Sequence, residues 1–259
     1  MFTTINLNLR VDIVTHSQHA AHTISLIGAK GGMGRLLTTA LRTRGHSVHT
    51  LDQPLLAEAC APALHQSDIV LLAVPISAMQ KVMQVIAPIL PPRAILTDIC
   101  SVKEHPLRLM LNAHSGPVVG THPLFGPEPA PETDLKIALV PGRDDTAQDC
   151  LQALFRSLGY TPFVTTAKAH DLAMAKIQGL NFVTTISYLA AVAQDEDVLP
   201  FLTPSFQRRL QAARKMLTQD GTLFQTLFET NPYSQDAVRH YRRFLNLAAA
   251  GDLDLLQDM

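Results

Sequence analysis

Two segments of the 259-residue chain hold residue types that can do chemistry together. The first is Gly28-Ala29-Lys30-Gly31-Gly32-Met33-Gly34, which follows the short apolar run Thr23-Ile-Ser-Leu-Ile and opens a stretch of helix formers. A dinucleotide-binding turn needs one glycine for a tight bend and one for close approach of backbone to pyrophosphate. It needs a third where the helix packs on the sheet, and the pyrophosphate then sits on the N–H groups of the helix start. Gly31 and Gly34 meet the last two needs. The usual G-x-G-x-x-G would put a glycine where this chain has Ala29, so the spacing is G-x-x-G-x-x-G. Asp52 follows 18 residues after Gly34, at the end of a second apolar stretch. An acid there accepts hydrogen bonds from both ribose hydroxyls and repels a 2′-phosphate. No arginine sits beside it, which favours NAD over NADP. A glycine loop alone is often only a turn, and an acid alone only a solvated strand end. Their order along the chain is what points to a dinucleotide.

The second segment is Val118-Val-Gly-Thr-His122-Pro-Leu-Phe-Gly126-Pro-Glu128. It puts a histidine just beyond the C-terminal end of a strand, and that edge of an open α/β sheet is where ligands bind. A histidine taken singly is more often a surface or core residue. His122 differs because proline and glycine fix its loop on the same edge as the glycine turn. An imidazole suits a general base, whose pKa should lie near the working pH.

The elements that must hold these segments follow from periodicity. Residues 33–44 form a helix stopped by Gly45, and Ser47 to Asp52 a second strand. Leu55 to Ala63 is a weak helix. Asp68-Ile-Val-Leu-Leu-Ala-Val-Pro75 is a continuous apolar run, as expected of a strand covered on both faces. Its last residues, Val74 and Pro75, are counted with the loop and Asp52 on the cofactor side. Ala78 to Ile89 is a helix, Ala94 to Asp98 a strand, and Ser101-Val-Lys-Glu104 reads as a capping box opening the next helix. Strands at Pro117 to Gly120, Lys136 to Val140 and Thr161 to Thr165 flank a helix at Ala147 to Leu158. Alternating strands and helices predict a doubly wound, mostly parallel sheet of Rossmann type. After Thr166 only helical patterns remain: Ala167 to Val192, Phe206 to Thr218, Gly221 to Glu229 and Tyr233 to Ala250. The expected organisation is an extension at 1–22, a nucleotide domain at 23–166 and an all-α C-terminal domain at 167–259.

Composition narrows the function classes. With 21 Lys+Arg against 22 Asp+Glu, the net charge of −1 gives no general attraction to polyanions, which argues against nucleic acid. Trp is absent and aromatics are 5%, so base-stacking platforms are not expected. No apolar run reaches the ~18 residues of a membrane span, and the N-terminus lacks the order of a secretory signal. Cys60, Cys100 and Cys150 lie far apart with no CxxC, so a disulfide framework or zinc site is not expected and a reducing cytoplasm is the simpler setting. Residues 6–13 alternate weakly, as a strand might. His16, His19 and His22 recur at three-residue spacing, but lack a fourth ligand, and no metal is assigned.

On these residues the chain resembles the prephenate/arogenate dehydrogenase family, oxidative decarboxylases of tyrosine biosynthesis. The matching blocks are the Gly28–Gly34 loop, Asp68 to Pro75, Thr97-Asp-Ile-Cys-Ser101-Val-Lys103, and His122-Pro-Leu-Phe-Gly126-Pro-Glu128, continued by His170-Asp171 and Ile177-Gln178. The resemblance implies a reaction. Hydride leaves the hydroxyl-bearing ring carbon of prephenate for nicotinamide, the hydroxyl proton goes to a base, carbon dioxide leaves, and the ring becomes aromatic. It gives His122 the hydrogen bond to that hydroxyl, and Ser101 a contact with the hydroxyl and the cofactor ribose. Glu128 and Gln178 join the substrate side. The family acts as a homodimer, which the small helical domain would also favour.

The match departs where the substrate's two carboxylates should be gripped. The family's helical-domain histidine falls on Asn181 and its arginine on Lys215, with Arg214 adjacent. Lysine is a point charge without arginine's bidentate fork. Arg208, Arg209, Arg214 and Lys215 form a cationic cluster in which Arg208 and Lys215, seven apart, share a helix face. The departures admit three alternatives: arogenate as substrate, a catalytically silent NAD-binding protein, and a 3-hydroxyacid-dehydrogenase-like enzyme. The last uses a Lys and an Asn four apart on one helix. Lys176 and Asn181 are five apart, about 140° out of phase on a regular helix.

Overall fold

A computed structural model describes residues 21–194, 196–218, 221–252 and 254. The alternating stretch 6–13, His16 and His19 lie outside them. Seven strands form one sheet: β1 (Thr23–Ile27), β2 (Ser47–Leu51), β3 (Ile69–Leu72), β4 (Ile95–Asp98), β5 (Val118–Pro123), β6 (Lys136–Arg143) and β7 (Thr161–Val164). Their order is β2-β1-β3-β4-β5-β6-β7, parallel except for the antiparallel β5–β6 pair. The order reverses between β1 and β3, which makes their C-terminal ends the switch point where such sheets open a crevice.

The two-residue period of the strands builds two apolar layers. Val70 and Leu72 of β3 face a cluster with Leu96 and Val118, closed by α2 (Ala57–Gln66), α3 (Ile76–Ile86) and α4 (Glu104–Ala113) through Leu64, Met79 and Met110. Ile69 and Leu71 face the opposite layer with Leu26 and Leu139, closed by α1 (Gly32–Thr43) and α5 (Asp145–Ser157) through Leu37, Leu41, Leu151 and Phe155. All four β3 side chains are buried, which is why the run reads as continuous rather than alternating. Burying each such side chain contributes roughly 1.5–3 kcal/mol. The fold is the doubly wound α/β class expected from the sequence.

Two local expectations are corrected. The capping box at Ser101 and Glu104 does not form. The helix begins at Glu104, and Lys103 in the N-cap position makes no side-chain cap. Instead the Asp171 carboxylate, 67 residues away, accepts the N–H groups of Lys103 (2.7 Å) and Glu104 (2.9 Å). A carboxylate supplied from outside satisfies orphan donors as well as a local serine would, and its charge complements the helix N-terminus. Glu104 instead accepts the Tyr233 hydroxyl at 2.8 Å. These contacts seat the helical region on the sheet.

The second correction concerns the expected helix 167–192. It is interrupted: α6 (Ala167–Met174) passes into a π-helical stretch, Ala175–Leu180, before α7 (Asn181–Val192). In a π turn the backbone hydrogen bonds join residues five apart, so each residue advances through a smaller angle than on an α-helix. Lys176 and Asn181, the latter opening α7, are therefore less separated in phase than on a regular helix. The remaining helices are α8 (Pro204–Thr218), α9 (Gly221–Thr230) and α10 (Ser234–Ala250). No helix among the described residues is long and apolar enough to cross a membrane.

Candidate active site

Three strand ends converge on a cavity of about 280 Å³ at the switch point. Gly28, Lys30 and Gly31 line it after β1, Asp52 and Gln53 after β2, and Ala73, Val74 and Pro75 after β3. Gly28 has φ +91, and a Cβ there would fall 2.4 Å from the Ala73 carbonyl oxygen. A Cβ on Gly34 would fall 2.2 Å from the Gly28 carbonyl oxygen, so that glycine lets α1 pack against the turn. The Lys30 N–H donates to Asp52 Oδ1 at 3.1 Å, which aims the carboxylate across the loop. Ala29 is buried beneath the turn and Met33 half-buried in the first turn of α1. The missing glycine at position 29 thus leaves the cradle intact. The backbone-lined hollow and its acid fit the adenosine and phosphate portions of a dinucleotide.

His122 lies within β5 rather than beyond it, opposite Ala138 of β6. It sits three strands from β1 along the same edge, roughly 14 Å at the usual ~4.8 Å strand spacing. A dinucleotide spans that breadth and a mononucleotide does not. Its ring is 3% exposed. Nδ1 lies 2.9 Å from His170 Nε2, and His170 Nδ1 lies 2.7 Å from Asp171 Oδ1. The carboxylate can only accept, so His170 donates through Nδ1. In the tautomer set where His170 accepts through Nε2, His122 donates through its own Nδ1. The lone pair of His122 is thereby assigned to Nε2, which has no protein partner among the described residues. Burial first, then unfavourable electrostatics with neighbouring His170 and with Lys103, hold the His122 pKa well below the usual imidazole value. The ring is neutral at pH 7 and its lone pair available.

Beneath this row lies a buried ion pair. Lys103 Nζ donates to Asp98 Oδ1 (2.8 Å), Asp98 Oδ2 (2.6 Å) and the Thr121 carbonyl oxygen (2.5 Å). Asp98 also accepts the Cys100 N–H at 2.9 Å. Burial and neighbouring Asp98 push the Cys100 thiol well up, so this cysteine is an inert packing group. Ser101 is half-buried in the loop joining β4 to α4, close in sequence to this pair but in no side-chain hydrogen bond among the described residues.

The substrate-side expectations divide. Asn181 lines a second cavity of about 320 Å³ between α7 and α8, together with Thr184, Thr185, Ala213 and Arg209. Arg209 lies 3.7 Å from the centroid of the Tyr188 ring, which orients its guanidinium. Arg208 and Arg214 are exposed and do not line this cavity; the Lys215 side chain lies outside the described set. Glu128 is exposed on the loop after β5. Gln178, in the π turn, keeps a buried Oε1 without a partner. The sequence assigned no site role to His170, Asp171 or the Asp98–Lys103 pair. Their signal was present in the adjacent His-Asp and in the Thr97-to-Lys103 block, but only folding brings them to His122. Among the described residues no cluster of three or more His, Cys, Asp or Glu could hold a metal.

Residues 41–157 match the family model described as the nucleotide-binding domain of prephenate dehydrogenase. The chain is 30% identical over 226 residues to the T-protein of Enterobacter agglomerans, covering 85% of this chain and 60% of that protein. It spans little more than half the length of further curated relatives it matches. Among solved structures, prephenate dehydrogenase from A. aeolicus, in complex with hydroxyphenyl propionate and NAD+, shares the fold with a TM-score of 0.76 at 18% identity, covering 92% of this chain and 94% of that one. Synechocystis arogenate dehydrogenase superposes with a TM-score of 0.72 at 22% identity, covering 91% and 96%.

Proposed function

The chain belongs to the prephenate/arogenate dehydrogenase family, and from that premise we propose that it catalyses NAD-dependent oxidative decarboxylation of prephenate to 4-hydroxyphenylpyruvate. The observation that carries this reading is the His122 ring. It is buried, neutral and fixed by a relay that leaves Nε2 free on the strand edge shared with the glycine turn. The Gly28–Gly34 loop, Asp52, Val74 and Pro75 would hold NAD, which when bound supplies the hydride acceptor. Asp52 favours NAD over its 2′-phosphorylated form by charge.

In this mechanism His122 Nε2 accepts a hydrogen bond from the substrate ring hydroxyl. As hydride leaves the carbon bearing that hydroxyl, Nε2 takes the proton. The positive charge arising on His122 is countered through His170 by the Asp171 carboxylate, so the base strengthens as the reaction advances. The C–CO2 bond then breaks, its electron pair completes the aromatic ring, carbon dioxide leaves, and the proton held on Nε2 returns to the ring oxygen to give the 4-hydroxyl product. Ser101 orients the hydroxyl. Asn181 and Arg209, with Gln178 nearby, receive a substrate carboxylate. Arg209 joins the cations the sequence assigned to this role, because among the described residues it is the cation that lines the Asn181 cavity.

Mixing the protein with NAD+ and prephenate, and following NADH absorbance, tests the reading. Turnover with prephenate is the expected result. Turnover of arogenate alone reassigns the substrate within the family. Turnover of a 3-hydroxy acid, or NAD binding with no turnover of any of these, overturns the proposal.

The proposed division of labour keeps residues 23–166 for the nucleotide and 167–259 for substrate and self-association. Large apolar side chains stand exposed on the helical region, among them Ile177 (68%), Leu199 (64%) and Phe201 (81%). The proposed homodimer would cover apolar side chains of this kind. A solution mass near twice 28.3 kDa is expected, and a monomer at micromolar concentration would contradict it. The proposed setting is a reducing cytoplasm, in keeping with free Cys60, Cys100 and Cys150.

A further inference from the structure

We infer that Lys103 is the positioning residue that fixes the His122 ring, closing a hydrogen-bonded circuit around it from both its side chain and its backbone. This rests on the reading of His122 as the base.

The circuit is traced atom by atom. Lys103 Nζ donates to the carbonyl oxygen of Thr121, the residue just before His122. His122 Nδ1 meets His170, and His170 meets Asp171. Asp171 Oδ1 accepts the backbone N–H of Lys103 at 2.7 Å, which returns the circuit to its start. A single residue therefore anchors both ends of the histidine row. The other two Nζ protons go to Asp98, so all three donors are used. The Thr121 hydroxyl donates to the Asp98 carbonyl oxygen, and the Thr121 N–H to Asp98 Oδ1 at 3.3 Å, which ties the end of β5 to the end of β4 a second time.

The sequence makes room for this arrangement. Lys103 is fully buried, among the bulkiest fully buried side chains of the chain. Its stem crosses β5 at Gly120, where a Cβ would lie 3.3 Å from Lys103 Cδ and 3.5 Å from Asp98 Oδ1. An ammonium so placed is costly to desolvate and stabilises a fold no better than apolar packing would. Its value lies in geometry and charge. It blocks rotation of the His122 backbone, and its positive charge opposes protonation of the ring. The groups facing His122 are Lys103 with Asp98 from the β4–α4 side, and His170 with Asp171 from α6. Glu104, bonded to Tyr233, is one step further out.

The test uses the double variant Asp98→Asn/Lys103→Met in the full chain. Removing Lys103 alone would strand a buried carboxylate and risk unfolding. The asparagine amide keeps an oxygen for the Cys100 N–H and gives up the longer Thr121 N–H contact, which uses the other oxygen of Asp98, and the methionine side chain fills the space of the lysine stem. The expected result is a folded protein whose kcat falls ~10- to 100-fold, the scale of a misplaced reacting group, with KM for prephenate and NAD within about two-fold. The acid limb of its kcat/KM profile moves to higher pH. In nitrogen-labelled protein without ligands, the His122 ring titrates at higher pH than in the parent. Unchanged kcat and unchanged His122 titration would overturn the inference and leave the pair a packing feature. The titration is independent of turnover: a shifted His122 in a protein inactive toward prephenate upholds Lys103 while sinking the proposed reaction.

Discussion

Replacing His122 by asparagine is expected to lower kcat by ~10²–10⁴, the contribution usual for a general base, with NAD affinity close to that of the parent. The two effects separate because the nucleotide cavity is lined by the ends of β1, β2 and β3, whereas His122 belongs to β5. Asparagine retains a polar group able to meet His170 but has no lone pair basic enough to take the hydroxyl proton. Steady-state kinetics and nucleotide titration of the variant check the expectation; undiminished kcat would remove the mechanism.

The same substitution reads out pH dependence with a definite sign. The folded-state pKa of His122 lies well below its unfolded value, chiefly through burial. Above the unfolded value near 6.5 neither state binds the proton, and the ring imposes no pH dependence. As pH falls below that value the unfolded chain gains a proton that the native ring refuses. Native stability then drops by up to about 1.4 kcal/mol per pH unit from this one group. Thermal melts of the parent should fall more steeply between pH 6.5 and 5 than those of His122→Asn. Parallel melting curves would show that the ring is not held neutral.

Asp171→Ala is expected to give the largest loss of stability, about 3–5 kcal/mol, since breaking a buried charged network leaves several groups unpaired at once. One carboxylate takes the N–H groups of Lys103 and Glu104 and the Nδ1 proton of His170, at 2.7, 2.9 and 2.7 Å. Alanine leaves the first turn of α4 uncapped at a buried position and frees His170 to rotate. For a chain of this size the midpoint of thermal unfolding should fall by roughly 10 °C. Turnover should fall even in the fraction that remains folded, because His170 loses the carboxylate that orients it against His122. A change under about 1 kcal/mol would mean that Asp171 does not bridge the helical region to the sheet. Denaturant titration and calorimetry measure it directly.

Much of this chain was legible residue by residue, and the pattern of success has a physical basis. Buried strands such as Ile69–Leu72 announce themselves as apolar runs because both faces are covered. Gly28 and Gly34 announce themselves because no side chain fits where they stand. The limits were equally physical. Ser101 and Glu104 have the spacing of a capping box, yet a distant carboxylate outcompeted the local serine. The interval from Ala167 to Val192 reads as one helix because a π turn has no strong compositional mark. Of four clustered cations, composition could not say that Arg209 would line the Asn181 cavity, since that depends on how α8 is rotated against α7.

Sequence alone therefore determined the strand and helix alternation, the glycine loop with an acid near it, and a histidine at the end of a strand. All of these follow from local sterics and from burial periodicity along a short window. Tertiary structure alone decided what surrounds that histidine: His170 lies 48 residues away, and Asp171 reaches back 68 residues to Lys103. Hydrogen bonds between buried polar groups depend on position to a few tenths of an ångström. Only the packed sheet and helices set distances that finely.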